Sequence, residues 1–147
     1  MWFKNSEGPV ADLVNSLPLS VKQGLKVIVL SGLDITGINL SDFTGLKSMG
    51  LEGSKGAVGT LMNGLSLVVK RDIRELELSG VDVMEIDLSD FTGLKNLLLK
   101  DIKGPVIAFV NGLPLSVKRD LEVLDLRNLD ITGIDLAGFK GLKTLIQ

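Results

Sequence analysis

The chain has 147 residues, 45% hydrophobic and 23% charged, with a net charge of −2. That length suits one domain with a core of useful size, and so small a net charge gives no bulk pull toward nucleic acid or anionic membrane. Cys and His are both absent, which removes disulfides, thiol nucleophiles, Cys-based zinc sites and the familiar nucleophile–base pairs.

Aromatic residues make up only 4% of the chain, so the core is expected to be aliphatic. No run approaches the length of a membrane-spanning helix, and MWFKNSEGPV at the start lacks the apolar segment of a secretory leader. What the chain does show is internal repetition. Asn15–Lys22 returns at Asn63–Lys70 and at Asn111–Lys118, an offset of 48 both times. Gly8-Pro9-Val10 returns as Gly56-Ala57-Val58 and Gly104-Pro105-Val106. The chain therefore divides into three modules, 1–48, 49–96 and 97–144, within a single expected domain over 1–147.

Each module holds two coils. The coils open at Leu25, Leu46, Ile73, Leu94, Leu121 and Leu142, so the spacing alternates between 21 and 27 residues. Each opening carries the phrase [LI]-x-x-[LIM]-x-L, the last breaking off at Gln147. Alternation along such a short strand turns the first, fourth and sixth positions inward. A strand of this length cannot bury its apolar face alone, but stacked coils make a parallel sheet over a continuous aliphatic core.

In chain order, the first coil of each module continues into Leu33–Ile38, Val81–Ile86 or Leu129–Ile134. Next, Ser41-Asp42-Phe43 and Ser89-Asp90-Phe91 read as a capped single turn that drops the phenylalanine into the core; Gly138 replaces the aspartate in the third module. Gly50, Gly53, Gly56 and Gly59 superficially imitate a phosphate loop, but G-x-x-x-x-G-K-[ST] is absent and Gly56 aligns with Gly104. In the longest coil, Pro105 suits the first turn of a short helix carrying Val106, Ile107, Phe109 and Val110. Asn111-Gly112 suits its left-handed end, and Leu113-Pro114 an extended turn. Away from the sheet, a helix is expected to alternate with a tight turn.

The strand phrase at this spacing resembles leucine-rich repeat proteins, and the resemblance covers the whole chain. It implies an α/β right-handed solenoid, a horseshoe or arc. A parallel sheet would line its concave face and short helices or turns its convex face. The 21-residue coil is similar to short internalin-class repeats. The 27-residue coil is closer to repeats with a helix on the convex side. One departure stands out. The family places Asn or Cys three residues after the last strand leucine, whereas this chain has Leu33, Ser54, Val81, Ile102 and Leu129 there. Its turns must be closed by other groups.

Candidate chemistry is sparse, and neither a catalytic set nor a cofactor is implied. Asp34, Asp82 and Asp130 recur once per module, yet calcium needs about six to eight oxygens converging on one point, so a metal is not expected. Asn39-Leu40-Ser41 forms a glycosylation sequon, but Asp87 and Asp135 occupy the equivalent places. Lys22, Lys70 and Lys118 form one recurring row and read as solvated surface. Lys47, Lys95 and Lys143 form another, at an outward strand position where an acidic partner could be met. Nucleic acid is not expected, with so few aromatics for stacking.

The resemblance implies a non-enzymatic scaffold that binds a protein or peptide on its concave sheet. Register alone lists the outward residues: Val27, Ser48, Glu75, Asn96, Val123 and Thr144 in one row, and Trp2, Val29, Gly50, Glu77, Leu98, Asp125 and Ile146 in the next. Trp2, Val29, Leu98 and Ile146 are the apolar anchor candidates, with terminal Trp2 read first as a cover for the open end of the array. Met1 aligns with Leu97 and Gln147 with Leu99, so neither end carries a polar capping unit. The rival expectation is a structural or self-assembling module, excised or engineered. Such a module would dimerise or stack head to tail through its terminal strands.

Overall fold

A computed structural model of the chain describes Met1 and residues 10–147. Among the described residues, six three-residue strands form one parallel sheet in sequence order: β1 Val27–Val29, β2 Ser48–Gly50, β3 Glu75–Glu77, β4 Asn96–Leu98, β5 Val123–Asp125 and β6 Thr144–Ile146. Val27 pairs with Ser48, Ser48 with Glu75, Glu75 with Asn96, Asn96 with Val123 and Val123 with Thr144. These are the alternating offsets of the sequence repeat. Every strand covers the third to fifth positions of its phrase, so its central residue is the fourth and points into the core.

The core follows the phrase. Ile28, Met49, Leu76, Leu97 and Leu124 are completely buried, as are Leu46, Ile73, Leu94 and Leu121. Phe43 and Phe91 are fully enclosed, as expected for the turn that carries them, and Phe139 is nearly so. Removing a leucine-sized side chain from water is worth about 1.5–3 kcal/mol. A strand of three residues has too few backbone bonds to hold itself, so this burial is what sets its place.

The helices come in pairs, one pair in each long coil or its equivalent: α1 Val10–Asn15 and α2 Leu19–Gly24, α3 Val58–Asn63 and α4 Leu67–Asp72, α5 Val106–Asn111 and α6 Leu115–Asp120. The first of each pair is the helix expected after Gly-Pro. The second is not foreshadowed. Pro114 is extended, with φ −59° and ψ 150°, but its carbonyl then accepts from the N–H groups of Val117 and Lys118 and starts a new helix. Gly112 also differs from expectation. It has φ −79°, not a left-handed angle. Glycine fits because a Cβ there would lie 2.7 Å from the carbonyl oxygen of Ala108, which the Gly112 N–H itself binds.

Beyond β1, β3 and β5 the short coils carry turns, with isolated parallel bridges from Asp34 to Lys55 and from Asp82 to Lys103. Their caps are not Ser41, Asp42, Ser89 or Asp90. Instead, the side chains of Asn39, Asp87 and Asp135 accept the N–H two residues on, at Ser41, Ser89 and Ala137, each at 2.9 Å. The recurring sequon position is thus a turn-former. Asp34, Asp82 and Asp130 act alike on Thr36, Met84 and Thr132. Each is committed to its own turn, and the Thr36 and Thr132 bonds hold the Asp34 and Asp130 carboxyls below the usual range.

Two devices close the turns between coils. The residue closing each strand exit has positive φ: Gly32, Gly53, Gly80, Asp101 and Asn128, between 58° and 72°. Only glycine, aspartate and asparagine occupy this column, the types that tolerate such angles. Three residues after the last strand leucine stand buried Leu33, Val81 and Ile102, and Ser54, whose Oγ donates to the Leu30 carbonyl at 2.7 Å. The second device is the asparagine ending the first helix of each pair. Asn111 Nδ2 donates to Gly133 O and Asn111 Oδ1 accepts from Asp135 N, both at 2.9 Å. Asn15 grips Gly37 and Asn39 identically. Asn63 makes only the first bond, at 3.4 Å to Glu85 O. There Glu85 replaces the left-handed Gly37 and Gly133.

Candidate functional site

Because inward positions are filled by the core, the third and fifth positions of each phrase line the open face of the sheet. Val27 is 40% exposed, while Val29, Glu75, Glu77, Leu98, Val123 and Ile146 are half-buried on that face. Trp2 lies outside the described residues. The face divides by strand. Val27 and Val29 form an apolar area on β1. Glu75 and Glu77 make β3 acidic. Leu98, Val123 and Ile146 form a second apolar area over β4–β6.

Asp125 belongs to the same row but is only 2% exposed. Its carboxylate is covered by Arg127, with Nη2 at 2.7 Å and Nε at 3.0 Å, and it also accepts the Arg127 N–H. The guanidinium hydrogen bonds hold the Asp125 carboxyl below the ordinary aspartate range. Asp125 therefore shares the register of the row, but its charge is spent inside the chain. Glu77 repeats part of the motif, its Oε1 accepting from Ser79 N at 2.9 Å, without an arginine clamp.

The lysine row lies one residue before the strands, at their N-terminal ends. Lys47 approaches Asp72 at 3.4 Å and Lys143 approaches Glu122 at 2.8 Å. The Lys143 bond lowers the Glu122 pKa and raises that of Lys143. Lys95 donates to the Asp120 carbonyl at 3.4 Å. The other lysine row works on the far side of the molecule, where Lys22 and Lys118 donate to the carbonyls of Asn15 and Asn111 at 2.7 and 2.8 Å. Lys22, Lys47, Lys95, Lys118 and Lys143 thus make bonds within the chain.

One concavity interrupts the face. Gly50 stands in the row between Val29 and Glu77, where Leu98 and Ile146 stand in later coils. The missing side chain leaves a hollow of about 270 Å³ bounded by Val27, Val29, Ser31, Ser48, Glu52, Glu75 and Glu77. On the helical side, Leu19, Leu67 and Leu115 are 54%, 45% and 61% exposed. They form a leucine row recurring every 48 residues. The repeat Asn-x-Leu-x-Leu held that signal: its first leucine is core or close to it, and its second is not.

Among the described residues no group of three or more Asp or Glu side chains is placed to hold a metal ion, and no helix is long and apolar enough to cross a membrane. No family model, curated protein or solved structure matches this chain.

Proposed function

We propose that the protein is a non-enzymatic leucine-rich-repeat-type scaffold, with the sheet as its concave face, and that it binds another protein or peptide there. The carrying observation is the sheet face itself. Its rows are in register across six strands, and they present Val27, Val29, Leu98, Val123 and Ile146 beside polar neighbours. A preformed surface of this kind binds at low ordering cost, and a few apolar anchors supply most of the affinity. The absence of His and Cys leaves an acyl- or thiol-transfer reading without its nucleophile–base pair.

The test is a peptide-display selection on the wild-type protein, with each enriched peptide re-measured against Leu98→Arg on the sheet and Leu67→Arg on the helices. Enriched peptides should lose at least tenfold in affinity with Leu98→Arg and little with Leu67→Arg, since tenfold corresponds to about 1.4 kcal/mol. The opposite pattern would move the binding surface to the helical side.

A second reading, self-association through β6, is favoured by one observation. Leu142 and Leu145 are only partly covered, whereas their counterparts Leu46, Met49, Leu94 and Leu97 are fully buried. Light scattering over a range of concentrations separates the two. A constant monomer mass is the expected result for the scaffold. A mass that grows with concentration, and returns to the monomer in Ile146→Lys, would establish strand-to-strand stacking instead.

A further inference from the structure

We infer that the part of the sheet face over β1–β3 selects a basic peptide segment, one lysine or arginine of which enters the hollow above Gly50. This rests on the sheet-face reading and adds the chemistry of the partner. The hollow, about 270 Å³, is below the size of pockets that enclose whole small-molecule ligands, about 300–1,000 Å³. It is on the scale of one long side chain. Its walls are unlike each other. Val27 and Val29 offer apolar surface on one side, while Glu75 and Glu77 on β3 and Glu52 beyond β2 offer carboxylates on the other. A lysine or arginine has the matching anatomy, an aliphatic stem and a charged tip.

Charge decides against other occupants. Among the described residues, none of Glu52, Glu75 and Glu77 is in an ion pair, while the nearby Lys47 is engaged by Asp72. An acidic segment would face three like charges. A purely apolar one would cover the Glu52 and Glu75 carboxylates without giving them partners, which is costly. A basic segment satisfies both walls, and complementary charge at a rim also speeds encounter. The acidic area stops at β4, which presents Asn96 and Leu98, and Asp125 on β5 is already held by Arg127. The preference is therefore confined to the first half of the face.

The probe is a capped, fluorescein-labelled (Lys-Ser)4 peptide, with (Glu-Ser)4 as its counterpart, followed by anisotropy at low and physiological salt. The lysine peptide should bind at least tenfold more tightly than the glutamate peptide. The triple variant Glu52→Gln/Glu75→Gln/Glu77→Gln should weaken it about tenfold, the sum of three modest surface pairs. An amide in place of the Glu77 carboxylate still offers an acceptor to the Ser79 N–H. Gly50→Leu should weaken it by a similar factor by filling the hollow. Its Cβ would lie 3.3 Å from Val29 Cγ1, so the Val29 side chain must give by a few tenths of an ångström, and circular dichroism checks the fold. Asp42→Asn/Asp90→Asn, off the face, should change nothing.

Equal binding of the two peptides, no binding of the lysine peptide, an undiminished affinity in Gly50→Leu, or an equal loss in the Asp42/Asp90 control would each overturn the inference. If the lysine peptide fails while display-selected peptides remain sensitive to Leu98→Arg, the sheet-face reading stands and only the basic preference falls. If neither depends on the sheet, both fall.

Discussion

Phe91→Ala is expected to lower folding stability by about 3–5 kcal/mol, the range for deleting a fully enclosed aromatic side chain and leaving the cavity open. Phe91 has no exposed surface and sits in the middle module. Coils lie on both sides of it, so collapse from either direction is resisted by packed neighbours. Its counterpart Phe139 occupies the last short coil, with 6% exposure and partly covered Leu136 and Leu142 beside it in sequence. That coil can relax toward solvent, so Phe139→Ala should cost less than Phe91→Ala. Chemical denaturation followed by circular dichroism measures both. Equal losses would mean that position along the array does not matter, and a loss below about 1 kcal/mol for Phe91→Ala would contradict the enclosed-ring account altogether. Because coupling in an array runs from neighbour to neighbour, a broadened transition in Phe91→Ala would locate uncoupling of the modules on either side.

Gly104→Ala is expected to cost about 2–4 kcal/mol, from two separable causes. The residue has φ +93°, an angle that strains any side-chain-bearing residue by about 1–3 kcal/mol. Its new Cβ would also stand 2.7 Å from Asp82 Oδ1, and that oxygen already accepts the Met84 N–H at 3.0 Å. Displacing the carboxylate would weaken that turn bond, worth about 1 kcal/mol. Gly56 repeats the arrangement at φ +90°, with Thr36 Oγ1 and Asp34 Oδ1 at 2.5 and 2.6 Å from the added atom. Gly53, at φ +66°, has nothing within 4 Å of an added Cβ. Gly53→Ala should therefore show the backbone component alone and cost less. Adding Asp82→Ala to Gly104→Ala removes the contact and leaves the angle. A double-mutant cycle in urea should recover part of the loss and never all of it. Complete recovery would assign the whole effect to the contact, and no recovery would assign it to the backbone.

The same pair of glycines shows why a phosphate-loop reading of Gly50–Gly59 has no purchase. Gly53 closes a strand exit, Gly56 lets one coil pass beneath the Asp34 carboxylate, and Gly59 admits the Glu85 carbonyl 2.8 Å from where its Cβ would be. Each answers a backbone demand of coil stacking. Gly50 is the exception. It has no left-handed angle to accommodate; an added Cβ would crowd Val29 Cγ1 at 3.3 Å, and the residue borders the hollow on the open face.

The strand positions, the alternating register, the aliphatic core and the buried phenylalanines could all be read from the residues in order. In a stacked array the inward position is a matter of phase, and phase is written in the spacing of leucines. Each coil meets a near-copy of itself, so pairing one strand with the next requires only the repeat length. The open face of the sheet follows from the same phase, which gathers Val27, Val29, Glu75, Glu77, Leu98, Val123, Asp125 and Ile146 into two rows. Tertiary structure decided what that phase leaves open: which charges on the face remain free, what closes the turns, and whether a helix follows Pro114. Asp125 is neutralised by a residue two positions away, Lys47 by Asp72 25 residues on, and the Asn15 and Asn111 clamps reach turns 22 and 24 residues distant. The Lys47, Asn15 and Asn111 contacts depend on distances between coils to within a hydrogen-bond length. The order of residue types constrains such distances only through the packing of the whole array.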